Sequence, residues 1–328
     1  AVRAARRLPP GDIVVTNDFW MPVFAARRKK VSGKVVINAN RFPKGQYGLY
    51  GAVDLVAGAS RAVARAIQHQ TPKLKDKIRV LPNPVDEAFL RPRADIGYGI
   101  SDIGKRQLTV IYVGRIHPEK GIEILIEAWR LLRERWRKAG GISDIGDGIS
   151  ETVKTEGKPI SNIRDPISGF EAKLRIVGPY KKEQGGGGEE YLKSLKGKAE
   201  GVEWGEPIFE PAKLAEEYRR ADVFVYPSMA LKGESFGMAP VEAMGCGAVP
   251  VVSDLEVFRE YLVPGKNGWT FNHRESAAEN LAAVLGTALS ADLTKMREEA
   301  RRTAGNFSPA KVAEMHLEFF QKVGKNSD

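Results

Sequence analysis

Short runs of β-branched and apolar residues alternate with helical patterns along almost the whole chain: DIVVT, KVVINA, DLVAGA and IRVLP, then LTVIYVG, KLRIVG, DVFVYPS and AVPVVSD. Parallel strands need a crossover element between them, so this alternation predicts an α/β chain of parallel sheets covered by helices. After Gly121, the apolar residues Ile122, Leu125, Ile126, Trp129 and Leu132 recur on one helical face, which should pack against its sheet. Pro82, Pro84 and Pro92, then Gly97, Gly99 and Gly104, punctuate the stretch between about residues 83 and 107 and divide the chain in two. The expected organisation is a first unit over 1–85, a linker over 86–107, a second unit over 108–307 and a last segment over 308–328.

The most informative stretch for function is ESFGMAPVE, in which Glu234 and Glu242 flank a Gly and a Pro. Gly237 permits a tight backbone and Pro240 fits a first helical turn, so a loop should turn into a helix here. The free N–H groups of Ser235, Phe236, Gly237 and Met238 would then face an anion, while Glu234 and Glu242 accept hydrogen bonds from hydroxyls. Phosphate together with a polyol describes a nucleotide sugar.

With its flanks this stretch resembles the signature of retaining glycosyltransferases of family 4. That family has the GT-B fold, two Rossmann-like domains with parallel sheets facing across a cleft. LTVIYVGRIHPEKGIEILIEAW is similar to the family's strand, Gly-Arg turn, Lys-Gly step and helix. ADVFVYPS and EAMGCGAVPVVSD follow in the family's order, and SPAKVAEMHLEFFQKV is similar to the terminal helix that crosses back to the first domain. The resemblance implies that Gly114, Arg115 and Lys120 meet the donor diphosphate, and that Glu242 holds the ribose hydroxyls. It further implies that Glu234 holds the transferred sugar or stabilises its oxocarbenium-like transition state. Arg115, Lys120 and Glu234 are thus the candidate catalytic residues. His117, between the two bases, is either a solvated loop imidazole or a further phosphate contact. The family is credited with front-face attack, in which the leaving phosphate accepts the acceptor's proton and no metal is required; no DxD motif is seen. In relatives the loop after a VxxxG strand offers backbone groups to the base. Here it reads WGEPIFEPAK, where Pro207 has no N–H and Ile208 takes the role, leaving UDP, GDP and ADP donors all open.

Two departures stand out. Nothing before Gly11 supplies the family's opening strand and glycine-rich loop, so the first domain is expected to be incomplete, as in a fragment or a reduced version. After VVINAN many relatives carry a His where this chain has Asn40; an amide cannot titrate, so Asn40 and Arg41 are acceptor-side candidates without a proton-transfer role. GISDIG occurs at 99–104 and again at 141–146, and the stretch 138–171 reads as a surface insertion. Too few acids, and no closing Glu at the fixed spacing, argue against a calcium loop there. Gly185–Gly188 reads as a flexible turn.

Charge adds a possible partner. Residues 1–85 hold 16 Lys and Arg against 4 Asp and Glu, a balance of +12, so the net +10 of the chain leaves −2 beyond them. The runs Arg27, Arg28, Lys29, Lys30 and Lys73, Lys75, Lys77, Arg79 fit a solvated basic surface, an anionic membrane or a lipid-phosphate acceptor, and nucleic acid is disfavoured because no recognition motif accompanies them. No apolar run approaches the roughly 20 residues of a membrane span. Lone Cys246 reads as a buried packing residue, Cys/His zinc spacing is absent, and a cytoplasmic location, peripheral at the inner membrane face, is the expectation. The expected function is retaining hexosyl transfer from a nucleotide sugar to a hydroxyl acceptor, with a lipid-linked acceptor among the options. The alternatives are a GT-B phosphorylase, a sugar-nucleotide epimerase, or a nucleotide-binding module with weak catalysis.

Overall fold

The computed structural model describes residues 1–28, 33–91, 107–140, 172–230 and 234–325. Most of the expected linker and insertion, both GISDIG copies, Lys29 and Lys30 lie outside the described residues. Two parallel sheets form. The first runs in the order β1 (Ile13–Thr16), β2 (Lys34–Ala39), β3 (Leu55–Gly58), β4 (Ile78–Val80). The second comprises β5 (Leu108–Val113), β6 (Ala172–Val177), β7 (Val202–Gly205), β8 (Val223–Tyr226), β9 (Val249–Ser253) and β10 (Trp269–Phe271). Its order is β10-β9-β8-β5-β6-β7.

That second order decides where a ligand goes. After β5 the chain winds outward through β6 and β7, then returns to build β8, β9 and β10 on the other side of β5. The crossovers that follow β5 and β8 therefore head to opposite sides of the sheet, and that switch point is where open parallel sheets place a ligand crevice outside the carboxyl ends of their strands. Every residue of β8 and β9 is buried, as expected of strands covered on both faces. The helix Ile122–Gly140 buries Ile122, Leu125, Ile126, Trp129 and Leu132, each contributing about 1.5–3 kcal/mol relative to exposure.

The first sheet has a core of its own, in which Val35, Ile37, Val56, Val63 and Ile67 meet Tyr47 and Tyr50. A carboxylate of the second unit reaches across to it. Ser60 Oγ accepts from Val63 N at 3.1 Å and caps the helix Arg61–Gln70, while Glu260 accepts from Arg61 N at 2.9 Å and Ala62 N at 3.1 Å. Arg65 pairs with Glu256 at 2.6 Å alongside. Within the stretch read as a linker, Glu87–Leu90 forms a short helix whose Phe89 is buried against Tyr218 of the second unit. The final helix, Pro309–Lys325, lays Phe319 and Val323 on Val36, Ala57 and Leu81 of the first sheet.

Part of the basic excess is used internally. Arg28 Nη1 donates to Ala5 O at 2.6 Å, and Lys77 Nζ donates to Gly51 O at 2.9 Å and Val53 O at 2.8 Å. Lys73 and Lys75 remain exposed.

Candidate functional site

The loop after β5 is folded so that Lys120 turns inward. Tyr112 Oη donates to Arg115 O at 2.9 Å, and His117 Nδ1 accepts from Glu119 N at 3.3 Å, capping the 3-10 turn Pro118–Lys120. The imidazole acts here as a cap. Gly121 follows at φ 68°, and a Cβ there would lie 2.0 Å from Pro227 O, so this glycine lets the loop seat against the one leaving β8. Met229 N donates to Glu119 O at 2.8 Å across the same seam. The outcome is a lysine only 6% exposed at the mouth of the crevice.

Its partner is Glu234, 7% exposed. Three donors converge on one carboxylate oxygen: Lys120 Nζ, Ser228 Oγ at 2.8 Å and Tyr226 Oη at 3.1 Å all meet Glu234 Oε1. The ammonium also lies 5.3 Å from the centre of the Tyr226 ring, within cation–π range. Two opposite charges taken out of water together offset one another, and the hydroxyls satisfy further lone pairs. Oε2 takes no hydrogen bond among the described residues.

Beyond Glu234 the backbone stays open. The N–H groups of Ser235, Phe236, Gly237 and Met238 have no acceptor among the described residues, and Met238 is the first residue of the helix Met238–Gly245. Gly237 adopts φ 79°, with a built Cβ 2.6 Å from Phe258 Cε1, and Tyr261 Oη donates to its carbonyl at 3.1 Å. Only glycine fits between this turn and the Phe258 ring. The motif therefore presents unpaired donors and the positive end of a helix dipole to the crevice.

Glu242 lies about one turn into the helix Met238–Gly245, which begins ahead of Pro240. Half-buried, its carboxyl is pushed up to about 7 by burial, with the Tyr218 hydroxyl donating to Oε2 at 3.3 Å in opposition and Asp86 adding to the rise. Arg115 is exposed on the rim, its Nη1 donating to Gly185 O at 2.7 Å. The glycine run there is a hydrogen-bonded turn fitted against the loop after β5, with Gly187 N on Ile116 O at 2.8 Å and Gly188 N on Tyr180 O at 2.7 Å. Ile208 is half-buried beside the second core, and Phe209 next to it is 69% exposed. Asn40 and Arg41 are exposed just past the carboxyl end of β2, on the first sheet. Cys246 is fully buried, its thiol pushed up to about 12 by that burial.

The structure thus gathers Lys120, Glu234 and the open amides at one point, with Glu242 deeper in the helix and Arg115 at the rim. Tyr226 and Ser228, which hold Glu234, were not singled out by the sequence; their only signal is the YPS that ends the β8 run.

Residues 161–306 match the family model for glycosyl transferases group 1. Among curated proteins, the chain is 26% identical over 273 residues to a D-inositol 3-phosphate glycosyltransferase of Thermomonospora curvata, covering 79% of this chain and 54% of that protein. It is 29% identical over 218 residues to a phosphatidyl-myo-inositol mannosyltransferase of Mycobacterium leprae, covering 66% and 46%. The chain spans about half the length of the curated relatives it matches. Anabaena HepE, solved in complex with UDP, superposes with a TM-score of 0.69 at 18% identity, covering 98% of this chain and 81% of that one. A glycosyltransferase from Rickettsia africae gives 0.67 at 17% identity, covering 96% and 78%. The two parallel sheets are those of the GT-B glycosyltransferase fold.

Proposed function

We propose that this chain transfers a hexosyl group, with retention and without a metal, from a nucleoside diphosphate sugar to a hydroxyl acceptor. The observation that carries this reading is the meeting of Lys120, Glu234 and the unpaired amides of Ser235, Phe236, Gly237 and Met238 at the crevice beside β5 and β8. Breaking a sugar–phosphate bond develops negative charge on the leaving diphosphate and positive charge on the sugar. Lys120, the amides and Arg115 answer the first, and the Glu234 carboxylate answers the second. Glu242 takes the ribose hydroxyls, Gly114 lets the backbone come close to the phosphates, and Ile208 offers main-chain groups to the base.

The acceptor lies toward the first sheet, where Asn40 and Arg41 stand at its carboxyl edge. The curated relatives are named for D-inositol 3-phosphate and phosphatidyl-myo-inositol. A phosphate-bearing polyol, free or in a lipid headgroup, suits a first unit that carries +12 over residues 1–85. A lipid acceptor would put the protein at the inner face of a membrane. No helix among the described residues is long and apolar enough to cross one.

The test begins with thermal unfolding against UDP, GDP and ADP; a ligand at 100 times its dissociation constant stabilises by about 2.7 kcal/mol. The matching hexose donor is then turned over with and without acceptor, with EDTA present, and the anomeric configuration of the product is read by NMR. Retention is expected. Donor consumed by inorganic phosphate alone indicates a phosphorylase, and donor isomerised without acceptor an epimerase. Tight nucleotide binding with no turnover indicates a binding module.

A further inference from the structure

We propose that Tyr226 and Ser228 are positioning residues that hold Glu234 by its Oε1 oxygen, so that the carboxylate stays in place when the donor diphosphate draws Lys120 away. This rests on the function proposed above. Lys120 Nζ is committed to Glu234, and both are almost wholly buried. A diphosphate is the more highly charged anion, so its arrival exchanges one partner of the lysine for another. The same step removes the only cation paired with Glu234 among the described residues. A buried carboxylate stripped of its cation is costly to leave unpaired and would swing toward water unless other donors held it.

Two neutral donors stand ready on the same oxygen. Tyr226 is fixed by aromatic neighbours on several sides, stacked on Tyr112 at 5.9 Å and on Phe224 at 5.9 Å, with Phe258 edge-on at 6.1 Å. Ser228 is fully buried, and its own carbonyl accepts from Ser253 Oγ at 2.7 Å, which pins the turn after β8. Neither residue is placed to move with the donor. Because all three donors crowd Oε1, Oε2 is the oxygen left to accept from a sugar hydroxyl. The design separates two tasks: the lysine changes partner, and the hydroxyls keep the glutamate aimed.

Tyr226→Phe, Ser228→Ala and the double variant test this, since each keeps the packing and removes one donor. The nucleoside diphosphate selected from UDP, GDP and ADP and its hexose conjugate (UDP-glucose, GDP-mannose or ADP-glucose) are titrated by calorimetry. Turnover is read as release of the nucleoside diphosphate. Each single variant should bind the nucleoside diphosphate within about twofold of wild type, unfold at the wild-type temperature and lose about tenfold in kcat. The double variant should also lose most of the extra affinity that the hexosyl group gives over the bare diphosphate. Variants that unfold normally yet keep the hexosyl increment and kcat overturn the proposal while leaving the proposed function standing. Equal weakening of bare diphosphate and conjugate also overturns it, because that pattern belongs to a damaged pocket. A wild-type chain that binds none of the three diphosphates overturns the proposed function and this inference together.

Discussion

The second sheet buries an acid at each end, and the two are treated in opposite ways. At the amino ends of its strands, Asp222 is completely buried and both oxygens are taken, Oδ1 by Arg297 at 2.5 Å and Oδ2 by Thr109 N at 2.9 Å. At the carboxyl ends, Glu234 is nearly as buried, but its donors crowd one oxygen and leave the other without a bond among the described residues. A carboxylate with every lone pair answered ties elements together and does nothing else. One that is held and still has an oxygen to offer is poised for an incoming hydroxyl.

The largest expected effect breaks the first of these. Asp222→Ala leaves Arg297 without its buried counter-charge and should cost about 3–5 kcal/mol of stability in urea unfolding, with nucleotide affinity of the folded fraction unchanged. A loss below 1 kcal/mol would show that the two ends are not as different as their geometry. Glu242 sharpens the contrast from between the extremes. Its folded carboxyl titrates near 7 against an ordinary 4.5, so its contribution to stability is full below pH 4.5 and is lost as the pH rises through 7. Glu242→Gln should remove that slope, gaining about 3 kcal/mol relative to wild type at pH 8 and almost nothing at pH 4. The same variant should weaken donor binding through the ribose. Parallel stability–pH curves for the two proteins would contradict the assignment.

Glu234→Gln comes next. Turnover should fall about 100-fold, in the range seen when one group that stabilises transition-state charge is removed. Bare nucleoside diphosphate should bind at least as tightly, because Lys120 no longer has a carboxylate competing for it. Lys120→Ala should act in reverse, with about 1.5–3 kcal/mol of diphosphate affinity lost. If both variants weaken diphosphate binding equally in calorimetry, the exchange at Lys120 is wrong. The smallest effect concerns the first unit. Lys73→Ala with Lys75→Ala should reduce sedimentation with phosphatidylglycerol vesicles by about 1 kcal/mol per base at low salt, fading as salt rises. Equal binding to neutral vesicles would return the basic surface to ordinary solvation.

Much of this architecture was legible because parallel strands and amphipathic helices leave local periodicities. The runs that became β5, β8 and β9 read directly, even with Pro250 inside β9. Proline is tolerated there because β10 pairs with β9 only from Val251 onward, so the missing N–H faces no ladder on that side. β10 escaped notice, being only Trp269–Phe271. At the site, Glu234 and Lys120 were readable from spacing and resemblance, but their contact was not, since they stand 114 residues apart. Tyr226 and Ser228 looked like the end of a core strand. The basic runs were legible only as a count: sequence counts charges, and the folded chain shows Arg28 and Lys77 bonded to carbonyls.

The carboxylate of Glu260 ties the two units at a helix end. It occupies the first turn of the helix Arg61–Gln70 from across the cleft, where two amide donors and the end of the helix macrodipole reward an anion. Rotating one unit away from the other would hydrate the glutamate and the two amides in a single event. Opening the angle between the sheets therefore carries a cost at this contact and at the Arg65–Glu256 pair beside it. A ligand that needs such an opening to enter or leave the crevice moves against that cost.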